Sequence, residues 1–283
     1  MASARGRHVK RWPVAHAVTT ILIAAAPIAA QQATTKPAPA LADTSKDPHA
    51  AQPERPTVAT HAGTVAPGWF ELETGVERDR IDPNASLLST PTVFKIGLAS
   101  QVQLSLYGTA VRPPGGSLGF GDVAVGVKWR LADDAPILGD FAVLPALKFP
   151  TGSDETGTKT TDVSVLLISS HQFGDVAMDL NAGYTHRSGD GLNAPTNATL
   201  WTASFGGPLA GVLGWVAEGY GYPATSGPSG QSSIVALLAG PTFTVRPWLV
   251  FDAGVIVPVT GPQPRALYAG AVYNVGRIWR SSR

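Results

Sequence analysis

The feature that most constrains this chain is a parity in its connections. From Pro67 to Trp279 it reads as short strands joined by alternately tight and long links. The tight ones are Ser100-Gln101, 171–175, 206–211 and Arg246-Pro247. Between them fall longer, polar, Gly/Pro-rich links at 79–89, 112–121, 151–160, 187–197, 223–232 and 260–265. A transmembrane β-barrel sorts its connections this way, with turns on the periplasmic side and loops outside. A soluble sandwich has no reason to. One link on the tight side, 132–140, is of moderate length.

Within the strands, period-two alternation dominates. Phe70, Leu72 and Val76 share one face, and Glu71, Glu73 and Glu77 the other. Val123, Val125, Val127, Trp129 and Leu131 oppose Asp122, Lys128 and Arg130. Val176, Met178, Leu180 and Tyr184 oppose Asp179 and Asn181, and Leu249, Phe251, Val255 and Val257 oppose Asp252. Two stretches, 163–168 and 234–238, are apolar on both faces and have no legible orientation. Strands are expected to begin near Trp69, Thr92, Val102, Asp122, Phe141, Thr161, Asp175, Leu200, Val212, Ser233, Trp248 and Ala266. That gives about twelve, an even number as in single-chain bacterial barrels. The fold class expected is all-β, an antiparallel transmembrane β-barrel closed so that no unpaired edge faces lipid.

Energetics orient the faces. A Lys or Arg on the lipid face near the midplane costs about 2–4 kcal/mol, so the aliphatic face meets lipid. The expected lumen-lining residues are Glu71, Glu73, Lys95, Gln103, Asp122, Lys128, Arg130, Lys148, Asp179, Asn181, Glu218 and Asp252. Acids and bases are both present, which leaves two states open: a conducting polar path, or a lumen filled by ion pairs. Trp69, Trp129, Trp201, Trp215, Trp248 and Trp279, with Tyr107, Tyr184, Tyr220 and Tyr273, lie mostly near strand ends, where aromatic girdles form.

Composition sets the remaining bounds. Charged residues make up only 14% of the chain, yet no long apolar span follows the N-terminus, so a helical membrane protein is excluded. A net charge of +1 argues against a nucleic-acid partner. With no cysteine, disulfides and thiolate metal sites are impossible. Residues 1–30 read as a signal peptide, with a basic Arg5/Arg7/Lys10/Arg11 region, an apolar run and Ala29-Ala30 before Gln31. Residues 31–66 are rich in Ala, Pro and Thr and poor in large apolar side chains. Their composition favours a disordered periplasmic segment over a plug inside the lumen. Residues 67–283 form the barrel.

Catalysis has little support. His171 and His186 are the only barrel histidines, and they end successive strands on opposite sides of the membrane. His186 near Ser188 and Asp190 reads as a solvated loop cluster, and Asp154, Glu155 and Asp162 fit no defined calcium loop. No enzyme activity, cofactor or metal is expected. The expected partners are outer-membrane lipid and small-molecule solutes. The near-terminal strand 266–279 resembles the C-terminal pattern by which outer-membrane proteins are recognised for assembly, although Arg277 interrupts its apolar face.

Two segments carry a family resemblance. Gly119 to Leu131, read as G-D-x-x-x-G-x-K-aromatic-R, and Leu144 to Gly152, ending in P-T-G, resemble the outer-membrane transporter family named for the meta-cleavage pathway of phenol degradation. The similarity spans Gly63 to Trp279 and is specific over Gly119 to Gly152. It implies an outer-membrane barrel, located in a Gram-negative bacterium, for passive uptake of small molecules, aromatic compounds among them. The rival readings are a structural or adhesive outer-membrane barrel with a closed lumen, and a soluble periplasmic β-protein.

Overall fold

The computed structural model describes residues 44–279; the signal peptide expected at residues 1–30, and residues 31–43, lie outside that range. One antiparallel sheet contains β1 (Trp69–Asp82), β2 (Ala85–Ala99), β3 (Val102–Arg112), β4 (Gly119–Phe120), β5 (Val123–Ala135), β6 (Gly139–Phe149) and β7 (Asp162–Phe173). It continues through β8 (Val176–Arg187), β9 (Asn197–Ala210), β10 (Leu213–Tyr222), β11 (Ile234–Arg246), β12 (Leu249–Thr260) and β13 (Arg265–Arg277). Each strand pairs with the next in sequence, except that β3 pairs with both β4 and β5; β1 also pairs with β13, so the ring closes. The fragment β4 is 2 residues long and extends the β3–β5 hairpin, leaving a closed 12-strand barrel.

Closure explains how such an apolar surface survives. Every one of the twelve ring strands finds two neighbours, and outward residues such as Leu106, Val127, Leu167, Leu237, Val255 and Leu267 stay exposed. In water a continuous apolar belt would drive association; in a bilayer it is the matching surface. Val163, Val165 and Leu167 point out and Leu166 and Ile168 point in, while Leu237 points out and Ile234, Ala236 and Leu238 point in. These strands are apolar on both faces because the lumen beside them is packed rather than wet.

The sorting of links holds, with shifted boundaries. The tight end carries 100–101, 136–138, 174–175, 211–212 and 247–248, and the other end 113–122, 150–161, 188–196, 223–233 and 261–264. The link expected at 132–140 tightens because β5 and β6 run on to meet through the Ala135–Gly139 pair. The long link expected at 79–89 does not exist. Arg78, Asp79 and Arg80 pair with Leu88, Leu87 and Ser86, so β2 begins at Ala85 rather than Thr92, and only Pro83-Asn84 turns. Polar side chains there decorate a hairpin that projects beyond the belt, where alternation in hydrophobicity fades while pairing continues.

The main correction concerns the N-terminal segment. Residues 50–66 are not a disordered periplasmic tail: they lie inside the barrel, and nearly all are buried. His49 stacks on Trp248 and meets Trp69 at a tilt, at the tight-turn end. The Ala51 N–H donates to the Pro247 carbonyl at 2.8 Å. The chain passes inward to Val58 and Ala59, then returns to the same end, where the Thr64 hydroxyl donates to the Ser100 carbonyl. Pro67 bridges to Gly97 and the chain enters β1. Poverty in large side chains, which argued for disorder, is what lets the segment fit: Ala51, Ala59, Ala62 and Ala66 have no bulk to exclude. Two expected girdle residues also move inward. Tyr220 packs in an inward cluster with Val216, Leu238 and Tyr268, and Tyr107 lines a lumenal cavity.

Candidate functional site

A segment folded back on itself in a closed space must satisfy backbone groups that cannot reach water. Here the wall does it. The Gln52 N–H donates to the Glu71 carboxylate at 2.7 Å and the Glu54 N–H to Glu73 at 2.6 Å. Glu218 accepts from both the Val58 and Ala59 N–H groups, at 2.8 and 2.6 Å. Asn181 accepts from the Thr60 N–H and donates to the Thr60 carbonyl. The Ser170 hydroxyl accepts from the Ala62 N–H and donates to Asp179. Gln103 accepts from the Val65 N–H at 3.0 Å and donates to Glu54 at 2.8 Å.

The charges meet at one hub. Lys95 is paired with Glu71 at 2.6 Å and with Glu73, and it also donates to the Gln52 carbonyl. Lys128 lies 2.5 Å from Glu54 and donates to the His61 carbonyl. All of these side chains are shut off from solvent. Burial alone would raise the Glu54 carboxyl, but Lys128 and Lys95 outweigh it and hold it at about 2. Burial, with Lys128 beside it, pushes His61 well below its ordinary value, so its ring is neutral. On the far side, Arg55 makes a forked pair with Asp252, at 3.2 Å from Nε and 3.1 Å from Nη2.

Nearer the loop end is a second cluster. Lys148 pairs with Asp122 at 2.8 Å and Asp162 at 3.3 Å, and Arg187 pairs with Asp162 at 3.3 Å. Asp122 also accepts the N–H groups of Gly152 and Thr158, at 2.9 Å each. The two motifs that carried the family resemblance are thus joined: the Asp of one fixes the loop that opens with the Pro150-Thr151-Gly152 of the other. Gly152 is required there, since a Cβ would stand 2.7 Å from the Gly157 Cα. Beside this cluster opens a cavity of about 110 Å³, lined by Tyr107, Leu144, Leu166, Leu200, Tyr222 and Arg187 among others. It is walled mainly by apolar groups, with charges on one side.

Of the expected lumen residues, Glu71, Glu73, Lys95, Gln103, Lys128, Asp179, Asn181, Glu218 and Asp252 are buried facing the segment. Asp122 and Lys148 belong to the loop-end cluster. Arg130 faces inward but lies at the tight-turn rim, partly exposed and paired with Asp133 at 3.0 Å. Lys128 does not stand in a wet lumen, because the segment covers it. Sequence reasoning missed the segment's own contributions: Gln52, Glu54, Arg55 and His61. The available signal was the spacing of Gln52 and Glu54, which matches the alternation of Glu71 and Glu73. His171 contacts Ser169 at one end and His186 contacts Asn197 at the other. Among the described residues no group of three or more His, Cys, Asp or Glu is arranged to hold a metal ion.

The model of the family described as "MetA-pathway of phenol degradation" matches residues 54–274, a span that takes in most of the lumenal segment as well as the strands. Among solved structures, an outer membrane channel from Pseudomonas putida F1 is similar at a TM-score of 0.57 and 11% identity, over 75% of this chain and 97% of that one. The KdgM porin, solved in complex with disordered oligogalacturonate, gives 0.49 at 10% identity, over 72% and 98% of the two chains. The NanC porin gives 0.49 at 12%, over 72% and 98%. At such identities the likeness is one of fold. No curated protein matches the chain.

Proposed function

The chain belongs to the MetA-pathway of phenol degradation family, and on that premise we propose that it is an outer-membrane channel for small molecules, held shut by its own N-terminal segment. The observation that carries this reading is a division of labour. The barrel wall closes entirely through its own ladder, whereas the segment is held through side chains of the wall such as Glu71, Glu73, Glu218 and Asn181. Withdrawing the segment leaves the ring intact and exposes a lumen lined by those polar groups, wide enough to have housed a stretch of polypeptide.

The loop-end cavity supports the finer reading. Its walls of Tyr107, Leu144, Leu166, Leu200 and Tyr222 suit a small compound with an apolar ring, and its charged side offers donors and acceptors to a polar substituent. Aromatic compounds are therefore the cargo class proposed. Export by residues 1–30 and residence in the outer membrane of a Gram-negative bacterium complete the proposal, with lipid outside and solute within.

Planar-bilayer conductance and liposome swelling test it, comparing the full chain with a deletion of residues 44–66. The full chain is expected to conduct in brief openings and the deletion continuously, with phenol or benzoate crossing faster than a sugar of similar size. Verified folded barrels of both forms that pass neither ions nor solutes would make this a structural barrel. A deletion that fails to assemble would show that the segment is part of the core.

A further inference from the structure

Arg55 lies where the wall carries no side chains: in one row across three adjacent strands stand Gly75 on β1, Gly270 on β13 and Asp252 on β12. Gly75 pairs with Gly270, and Gly270 with Asp252. Two bare positions beside a carboxylate make a flat floor with an acid at its edge. The Arg55 guanidinium lies on that floor. A Cβ on Gly75 would come 2.5 Å from its Cζ, and a Cβ on Gly270 would come closer still to its Nε. At the edge, Nε donates to one Asp252 oxygen at 3.2 Å and Nη2 to the other at 3.1 Å.

This geometry selects for chemistry as well as charge. Two parallel N–H groups facing two carboxylate oxygens are the recognition mode of a planar guanidinium. An ammonium ion has no planar fork to fill both oxygens and no flat face to need a floor without side chains. The edge Arg55 presents, one secondary and one primary N–H, is common to every monosubstituted guanidine. The same lumen carries further acids along β1, where Glu77 and Asp79 follow Gly75 on the inward face.

We propose that Gly75, Gly270 and Asp252 form a guanidinium-binding site in the lumen wall, that Arg55 fills it as an internal ligand, and that solutes bearing a free monosubstituted guanidine compete for it. The proposal rests on the channel reading for its physiological use, since a solute reaches the seat as the segment withdraws. The site itself is tested by binding, which does not depend on conduction.

The experiment is titration calorimetry of methylguanidine into the full chain refolded in detergent, with folding verified by heat-modifiable migration. Arg55→Ala vacates the seat, and saturable binding is expected. In the unsubstituted chain, where Arg55 is tethered beside the site, binding is expected to be at least tenfold weaker. Adding Asp252→Asn to Arg55→Ala is expected to weaken it at least tenfold, and so is adding Gly270→Ala, which keeps every charge and fills the floor. Methylammonium is expected to bind Arg55→Ala at least tenfold more weakly than methylguanidine. Absence of saturable binding to folded Arg55→Ala, equal affinity for methylammonium, or binding indifferent to Asp252→Asn or Gly270→Ala would each overturn the site. These outcomes stand whatever the conductance of the same preparations.

Discussion

The Glu54 carboxylate lies 2.5 Å from the Lys128 ammonium, with one partner on the lumenal segment and the other on the wall, both closed off from solvent. Breaking a buried pair by removing one partner costs about 3–5 kcal/mol, because the other charge is left behind. Lys128→Ala is therefore expected to loosen the segment. Protease added on the tight-turn side is expected to cut within residues 44–66, while the barrel keeps its heat-modifiable migration. A segment that stays resistant would show that the pair does not hold it.

Val125 has the opposite dependence. It is on the outward face of β5, between the outward partners Leu106 and Leu147. Val125→Arg is expected to cost about 2–4 kcal/mol near the midplane and to lower the amount of assembled barrel in outer membranes. Levels equal to those of the unsubstituted chain would put this face away from lipid.

His61 gives the segment a pH dependence whose sign follows from its burial. In the closed form the ring is held well below its ordinary 6.5, first by burial and then by Lys128; Glu54 opposes this and Lys95 adds to it. Once released, the ring takes up a proton below about 6.5. The closed form thus binds fewer protons and loses stability as the pH falls through that value, by up to about 1.4 kcal/mol per pH unit. Glu54 adds a loss of the same sign only further down, between its ordinary 4.5 and about 2. The contribution of His61 is to make openings more frequent at about pH 5.5 than at about pH 7.5, and His61→Phe is expected to remove that contribution, read as the difference between the two proteins at each pH. An unchanged slope in His61→Phe would assign it to other groups.

Gly97 controls where the segment leaves the lumen. A Cβ there would enter the Ala66 carbonyl, whereas a Cβ on Gly108 meets nothing. Gly97→Ala is expected to displace the 65–68 turn at a cost of about 1–3 kcal/mol and to expose residues 44–66 to protease. Gly108→Ala serves as the control and is expected to leave protection unchanged. Equal protection in both would mean that the exit turn shifts freely.

Much of the barrel was legible because two physical constraints write themselves into sequence. Lipid on one side enforces alternation in strands such as β1 and β5, and assembly through tight turns leaves marks such as Ser100-Gln101. Orientation was lost at Leu166 and Ile234, where the inner face is as dry as the outer. The β1–β2 hairpin was shortened because Arg78, Asp79 and Arg80 look like loop residues, although they are paired. The lumenal segment left only the two-residue spacing of Gln52 and Glu54, too short to read as a pattern. It forms no strand or helix of its own, and its partners are far away in sequence: Glu54 finds Lys128, Arg55 finds Asp252, and Val58 finds Glu218. A stretch with no periodicity of its own reads as unstructured when the structure is supplied entirely by what surrounds it.

The segment enters and leaves by the same mouth, with His49 stacked on Trp248 at one side and Thr64 bonded to Ser100 at the other. It is a bight of chain laid into a ring, not a thread drawn through it. Insertion and retreat of residues 50–66 need no strand pair of the ring to part. A seal of this kind is expected to melt below the ring, because no rung of the strand ladder runs through it.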